Sequence, residues 1–180
     1  MSVDAIAIVG RDNDPLYFKT FVSGGTGASQ LSEEKNSTTA TTMASLMEPD
    51  PDLYLRLLVY SALDLVEERS RGLAEKNVYL GQLCTSDQRK VYSFVTTTSI
   101  KFIVVVTDEG NDGKGVVQDS TMTGFFRRIH GLFVDTMSNP FSQTTPLGTS
   151  SARDVKFVPS TKFEGTITQA VQSLGEALKK

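Results

Sequence analysis

The segment from Met122 to Phe141 constrains this chain more than any other, because it predicts an amphipathic helix that stops at Asn139-Pro140. Its apolar residues recur at spacings of three and four, so they share one face of the helix, with Arg127, Arg128 and Asp135 on the opposite side. A face this wide and aromatic has to pack on a sheet or on another protein. None of its side chains is suited to bond-making chemistry, and we therefore expect the chain to act through what it contacts. The face comprises Met122, Phe125, Phe126, Ile129, Leu132 and Phe133.

The composition excludes several classes of function. The chain has 180 residues and a formal net charge of −3, which gives no reason to expect binding to nucleic acid or electrostatic adhesion to a membrane. Cys84 and His130 are the only residues of their types, so an internal disulfide and a zinc site built from Cys and His are both excluded. We expect neither a metal nor a cofactor.

We expect no targeting signal at the start of the chain. Its first ten residues, MSVDAIAIVG, lack a basic region, and their apolar run is too short for a signal peptide or a membrane span. A single cysteine is also typical of a reducing compartment. We therefore expect a soluble, cytoplasmic protein that reaches membranes only through its partners.

Hydrophobic periodicity predicts the element order β-β-α-β-β-β-α-α. Asp50 or Asp52 is expected to cap the first helix, which would run from about 53 to 71, and Asp119 or Ser120 is expected to cap the second. The closely spaced strands of the middle part favour an antiparallel meander. The predicted strands are 3–9, 16–22, 78–84, 90–97 and 100–107.

Two segments depart from this compact pattern. Residues 23–51 are rich in Ser, Thr and Gly, a composition that cannot fill a core, and we expect a flexible insertion there. Residues 161–178 are expected to form an extra C-terminal helix, whose start is indicated by a capping-box pattern at Thr161. A short strand is predicted at 155–158.

These elements favour a single α+β domain over residues 1–180. A five-stranded antiparallel sheet with helices on both faces is the compact arrangement, because each amphipathic helix can bury its apolar stripe on the sheet. The order of the strands does not follow from the pattern. The outer strand of the hairpin or of the meander could pair with a partner or with a second copy, which would allow a weak homodimer.

The first helix is apolar on two sides. Leu53, Leu57 and Tyr60 lie opposite its expected core residues, together with the carboxylate of Asp64. A helix buried on one side needs only one apolar stripe. Two explanations fit. Either the second stripe binds a partner, with Asp64 supplying a charge-assisted hydrogen bond, or the insertion or the C-terminal helix covers it.

Several segments resemble the sedlin family. The hairpin IVGRDNDPLYF and the helix SALDLVEER are similar to that family's opening elements, and FFRRIHGLFVDTMSNPF is similar to its second helix, with the closing NPF as the best single mark. The resemblance covers most of Ile6 to Val158 and is closer to the sedlin-like branch than to sedlin itself. Further similar segments are VYLGQL, VYSFVTTTSIKFIVVV and SSARDVKFV.

This resemblance implies a longin-like, or profilin-like, fold and a place in the TRAPP vesicle-tethering complex, which also acts as a nucleotide exchange factor for Rab GTPases. A sedlin-like member would be a non-catalytic subunit or assembly adaptor in ER-to-Golgi or intra-Golgi transport. It would contact other TRAPP subunits and, indirectly, a Rab GTPase at Golgi or ER–Golgi membranes. Asp64 falls in the family's Leu-Asp motif, which favours the partner-surface explanation. The insertion is longer than the family's loop, and residues 161–180 run past its usual end.

Other residues allow weaker interpretations. Arg127 and Arg128 fit a solvated helix face, but in a complex they could meet an acidic partner. A longin-type regulator of SNARE assembly is an alternative function, although the C-terminal helix is short and we expect no SNARE helix or membrane anchor after it. A small nucleotide-binding enzyme would have to use His130, Cys84 or the glycines at 24–27, which lack the Lys of a phosphate-binding loop. No catalytic residue is expected.

Overall fold

The computed structural model describes residues 1–21, 51–71, 78–108, 117–139, 157 and 159–178. Within these ranges, five strands and three helices follow one another in the predicted order. The elements are β1 (Ser2–Val9), β2 (Pro15–Thr20), α1 (Pro51–Ser70), β3 (Val78–Ser86), β4 (Arg89–Val95), β5 (Lys101–Thr107), α2 (Asp119–Met137) and α3 (Thr161–Ala177).

The strands form one antiparallel sheet in the order β2-β1-β5-β4-β3. The last strand of the meander returns to the middle of the sheet and pairs with β1, with Ile6 opposite Val104. β2 and β3 are therefore the two edges. The predicted fold class is confirmed, and the structure supplies the strand order that the hydrophobic pattern left open.

The side chains of alternate residues in the central strands point to opposite faces of the sheet and belong to two separate apolar cores. In β1, Ile6 and Ile8 face α2 and α3, whereas Ala5 and Ala7 face α1. The helices thus lie on both faces of the sheet, as predicted, with α1 on one face and the two later helices on the other. None of the described helices is long and apolar enough to cross a bilayer.

The apolar face of α2 packs into the layer that it shares with α3. All six of its predicted members contact this core, and the ring of Phe126 stacks on Phe94 of β4 with centroids 5.9 Å apart. The helix ends at Met137, with Ser138 as its C-cap, close to the predicted stop. Pro140 and Phe141 lie outside the described residues.

The start of α1 differs from the prediction. The helix begins at Pro51, which suits the first helical position because its missing N–H would be unpaired there in any case. Asp52 therefore lies inside the first turn and is not the N-cap. The other predicted cap, Asp50, lies outside the described residues, as does the predicted insertion except for Pro51.

The predicted starts of α2 and α3 are also wrong by one or two residues. The N-cap of α2 is Gln118, whose side chain makes no capping hydrogen bond, so both predicted caps lie within the helix. The N-cap of α3 is Ser160, whose hydroxyl accepts a 3.2 Å bond from the N–H of Phe163, and Thr161 is already helical. Of the strand predicted at 155–158, the structure describes only Phe157, which is buried and belongs to no strand.

Candidate partner surface

The outer side of α1 carries an exposed apolar line. Leu53 and Leu57 are 65% and 67% exposed, and Tyr60 is 45% exposed. Their spacing of four and three residues aligns them over two helical turns, and we call these three residues the α1 stripe. The inner side is buried, with Leu55 and Ala62 fully inaccessible to solvent. Single exposed apolar residues are common, whereas here three lie in line on one helix.

Two carboxylates continue this line. Asp64 lies one turn beyond Tyr60, and Glu68 lies one turn further. Both are exposed, and neither forms a hydrogen bond or an ion pair with any residue that the structure describes. They can therefore accept charge-assisted bonds from a cationic group of another protein.

The position of α3 excludes one explanation for the α1 stripe. Ile167 and Leu174 of α3 pack in the same core as α2, whereas Leu55 of α1 belongs to the other core. The C-terminal helix is thus separated from α1 by the sheet and cannot cover the α1 stripe. The predicted insertion, the other proposed cover, lies outside the described residues.

Polar contacts fix the direction in which the α1 stripe points. Near the start of α1, the hydroxyl of Tyr54 donates a 2.9 Å bond to the carboxylate of Asp87 in the turn between β3 and β4. Near its end, the side-chain amide of Asn13 donates a 2.8 Å bond to Glu67. Because both ends of α1 are hydrogen-bonded to turns of the sheet and its inner face is buried, the helix cannot rotate to bury its outer side.

Arg69 binds α1 to the edge strand β3. Its guanidinium donates to the carbonyl oxygens of Leu80 at 3.2 Å, Gln82 at 2.7 Å and Leu83 at 3.2 Å. These acceptors lie where the register of β3 against β4 shifts twice, next to Gly81, whose φ of 75° favours glycine. Sequence reasoning missed this contact, because an Arg near the end of a helix carries no signal of where its side chain binds.

A polar cluster lies where α1 ends. Lys101 donates a 2.6 Å bond to Asn13 Oδ1, and its ammonium is 3.9 Å from the Glu67 carboxylate. The hydrogen bond from Asn13 lowers the pKa of Glu67 below its ordinary value of 4.5, and the charge of Lys101 lowers the pKa further. Glu67 and Lys101 line a cleft of about 360 Å³, together with Arg11. Both groups are engaged with Asn13, so they hold the first hairpin against α1.

The two basic residues of α2 that could meet an acidic partner form a separate surface. Arg127 and Arg128 are exposed, and neither forms an ion pair within the described part of the chain. Because α2 and α1 lie on opposite faces of the sheet, these two residues are not brought together with Asp64 and the α1 stripe. The six residues expected to bind a partner therefore divide into two surfaces.

The two side chains considered for catalysis also lie apart. The ring of His130 contacts Phe94 and Phe102, in the core beneath α2, with centroids 6.1 and 5.7 Å away. Cys84 packs against the core beneath α1, and burial raises the pKa of its thiol above 9.0. The sheet separates them, so they cannot act as nucleophile and base. The described residues contain no group of three His, Cys, Asp or Glu side chains that could hold a metal, and the glycines at 24–27 fall outside them.

Comparison with known proteins identifies relatives along most of the chain. A Dictyostelium discoideum protein named trafficking protein particle complex subunit 2-like protein is 31% identical over 171 residues, which is 94% of this chain and 96% of the relative. The Bos taurus protein of that name is 25% identical over 141 residues, or 76% and 80% of the two chains. Trafficking protein particle complex subunit 20 of Saccharomyces cerevisiae is 28% identical over 78 residues, or 43% and 44% of the two chains.

A family model described as Sedlin matches residues 8–173. The match runs from the end of β1 into α3, so most of α3 lies within the family's extent. The expectation that residues 161–180 run past the family's end is therefore wrong for 161–173, whereas 174–180 lie beyond the match. The resemblance of the hairpin, the meander and both longer helices is confirmed by this match, and the chain belongs to the sedlin family.

Proposed function

We propose that this protein is a non-catalytic subunit, or assembly adaptor, of a trafficking protein particle (TRAPP) complex. Its membership of the sedlin family and the names of its relatives support the complex. The observation that carries the adaptor role is the α1 stripe with Asp64 beyond it, since an outward apolar line that ends in a carboxylate with no partner among the described residues suits a protein partner.

The α1 stripe supplies the apolar part of the contact. Burying a Leu or an aromatic side chain completely is worth about 1.5–3 kcal/mol, although the cost of association reduces what appears as affinity. Leu57 lies in the middle of the α1 stripe and is its most exposed member, so its burial by a partner would remove the largest fraction of exposed surface from water. We expect it to be the energetic centre of the interface.

Asp64 supplies specificity. At the edge of an apolar contact its carboxylate becomes partly desolvated, and a Lys or Arg of the partner then compensates it. A partner without this cation would leave a buried charge unpaired, which is unfavourable. Glu68, one turn further, strengthens the preference for a basic partner at this end of α1.

Arg127 and Arg128 form the second proposed contact, with an acidic surface of another subunit. Since the sheet lies between them and the α1 stripe, the protein can contact two neighbours at once. Contact with two neighbours is what an adaptor within an assembly requires.

The protein acts on a Rab GTPase indirectly, through the subunits that it holds together, in ER-to-Golgi or intra-Golgi transport. It is cytoplasmic and associates with Golgi or ER–Golgi membranes through its partners. Any homodimer of the isolated chain is weak.

The test is purification of the protein, expressed at its endogenous level in its native cells, and identification of the proteins that accompany it. We expect TRAPP subunits with the wild type and their loss with Leu57→Glu and Asp64→Lys. The matched control is Gln172→Glu, which adds a negative charge at an exposed position of α3, on the other face of the sheet. Circular dichroism checks that each variant is folded.

Each outcome has a separate meaning. If the subunits accompany both α1 variants, the complex is correct and the α1 surface is wrong. If Arg127→Glu combined with Arg128→Glu removes a different subunit, the second surface is supported. If no TRAPP subunit accompanies the wild type, the proposed function is wrong.

A further inference from the structure

The two edges of the sheet differ in how accessible they are to another strand. On β3, Arg69 occupies three carbonyl oxygens, and the register against β4 shifts at two places. These features disturb the regular ladder that an added strand needs. On β2, the pairing with β1 is regular from Ala5–Thr20 to Ile8–Tyr17. The β2 edge is therefore better suited than the β3 edge to pair with an added strand.

The backbone groups of Phe18 and Thr20 face this edge, beside which no other described strand lies. In an antiparallel pair, residues alternate between those that exchange hydrogen bonds with the neighbouring strand and those that point away from it. The N–H of Phe21 donates a 2.7 Å bond to the carbonyl oxygen of Asp4, which assigns Phe21, and with it Lys19, to the first kind. The N–H and C=O groups of Phe18 and Thr20 consequently point away from β1.

The side chains beside this edge connect it to the α1 stripe. On the α1 face of the sheet, the guanidinium of Arg56 lies 4.5 Å from the centre of the Phe18 ring. Phe18, Pro15 and Tyr60 line a shallow notch at this place. Because Tyr60 belongs to the α1 stripe, the stripe and the β2 edge form one continuous surface.

The other side of the edge carries the ammonium group of Lys19 beside the carboxylate of Glu164. Lys19 points toward α3, where its ammonium donates a 3.1 Å bond to Thr168 and lies 4.0 Å from Glu164. Its side chain remains 30% exposed. A residue that sat opposite Lys19 on an added strand would lie on this same face, beside the ammonium group.

We propose that the β2 edge receives an extended segment of a partner subunit, which adds a strand to the sheet beside Phe18 and Thr20. The segment carries an acidic residue opposite Lys19, flanked by apolar residues that pack on the α1 face against Phe18 and Tyr60. Main-chain hydrogen bonds supply its affinity, and the alternating side chains supply its specificity. This inference rests on the proposed function, because it states how a subunit that covers the α1 stripe continues onto the sheet.

A second copy of this chain fits the edge less well. The antiparallel register that uses Phe18 and Thr20 of both copies places Lys19 opposite Lys19, and like charges directly opposite one another are unfavourable. A strand of six residues also offers much less than the roughly 1,200 Å² that stable interfaces bury. A partner that covers the α1 stripe as well can reach that area.

Amide hydrogen exchange tests the proposal directly. In the isolated protein, the amides of Phe18 and Thr20 should exchange faster than those of Tyr17 and Lys19, which bond to β1. In the complex purified with its TRAPP subunits, Phe18 and Thr20 should become protected as well. This comparison needs no mutation and therefore does not depend on whether a variant folds.

A variant pair gives a second test. Thr20→Pro removes the outward N–H, whereas Thr20→Val keeps it. Proline is tolerated on an edge strand where the N–H points away from the sheet. We expect the proline variant to bind the subunits about tenfold more weakly than the valine variant, the effect of one lost hydrogen bond with its acceptor left desolvated.

The outcomes separate this inference from the proposed function. Protection of Phe18 and Thr20 in the complex, with weaker binding by Thr20→Pro, supports it. A complex that forms while both amides exchange as in the isolated protein overturns the edge site and leaves the proposed function standing. Protection that appears with rising concentration of the isolated chain would assign the edge to a second copy and overturn the partner segment. If no complex forms, both proposals are wrong.

Discussion

The guanidinium of Arg69 donates a 2.7 Å hydrogen bond to the main-chain carbonyl oxygen of Gln82. Through this bond and two similar ones, a helix whose outer side is proposed to bind a partner also closes one edge of the sheet. The same side chain thereby fixes the direction of the α1 stripe and directs strand addition to the opposite edge, at β2.

Replacing Arg69 with Met should lower the free energy of unfolding by about 1–2 kcal/mol, because three carbonyl acceptors lose a charged donor at a solvent-accessible site. It should also promote aggregation, since the β3 edge is uncovered. Urea denaturation and light scattering measure the two effects. Arg71→Met is the control, because Arg71 is 80% exposed and forms only a 3.8 Å surface ion pair with Glu67, so a change of no more than about 0.5 kcal/mol is expected. Equal effects of the two substitutions would contradict the role given to Arg69.

Glu67 should make stability depend on pH in the acid range. The hydrogen bond from Asn13 and the charge of Lys101 lower its pKa in the folded state relative to the unfolded chain. Between the two pKa values the unfolded state binds more protons, so stability rises with pH there. The contribution is complete above the unfolded value and is lost as pH falls through the folded one. In Glu67→Gln, the curve of unfolding free energy against pH should be flatter below about pH 5. A curve as steep as that of the wild type would show that other carboxylates carry the dependence.

Phe126→Ala should destabilise the protein by about 3–5 kcal/mol, because it leaves a cavity beneath α2 where the ring stacks on Phe94. Leu57→Ala, at an exposed position of α1, should change stability by less than about 0.5 kcal/mol. Chemical denaturation of both variants gives the comparison. A large loss of stability in Leu57→Ala would mean that the α1 stripe is covered within the isolated chain.

Gly131→Ala should stabilise the protein by about 1 kcal/mol, since the glycine lies on an exposed side of α2 and a Cβ there meets nothing within 4 Å. Gly81→Ala should do the opposite, although a Cβ there also has open space, because a φ of 75° is unfavourable for alanine. Thermal unfolding distinguishes the two. A higher melting temperature for Gly81→Ala would argue against the backbone conformation of β3.

Removing the hydroxyl group of two tyrosines should have different effects. The hydroxyl of Tyr17 is buried and has no hydrogen-bond partner among the described residues, and burial raises its pKa, so Tyr17→Phe should be neutral or stabilising by up to about 1 kcal/mol. The hydroxyl of Tyr54 bonds to Asp87 and Ser86, so Tyr54→Phe should cost about 1 kcal/mol. Denaturant midpoints provide the measurement. A marked loss of stability in Tyr17→Phe would reveal a partner for its hydroxyl.

The sequence predicts those features of the fold that depend on short-range patterns. The apolar face of α2 lies within one continuous segment, so its period alone identified residues such as Phe126 and Ile129. Capping was less predictable, because Asp119 and Thr161 are good caps by residue type, but each lies just inside a helix that starts earlier. The predicted and observed N-caps differ by a single residue, which the hydrophobic pattern does not resolve.

The candidate surface was predictable in part. Two apolar sides on one helix indicated the α1 stripe, but whether α3 covers it depends on the face of the sheet on which α3 packs, which no local pattern encodes. The contact of Arg69 with β3 and the position of β2 at the edge of the described sheet also depend on the strand order. That order follows from pairing between residues as distant as Ile6 and Val104.

The central strands give the fold one further property. Ile103 and Val105 of β5 point into the core beneath α1, while Phe102 and Val104 point into the core beneath α2. A slip of β5 by one residue would exchange all of these side chains between the cores. Because both cores share these strands, the protein should melt in a single cooperative transition, although its described helices lie on opposite faces of the sheet.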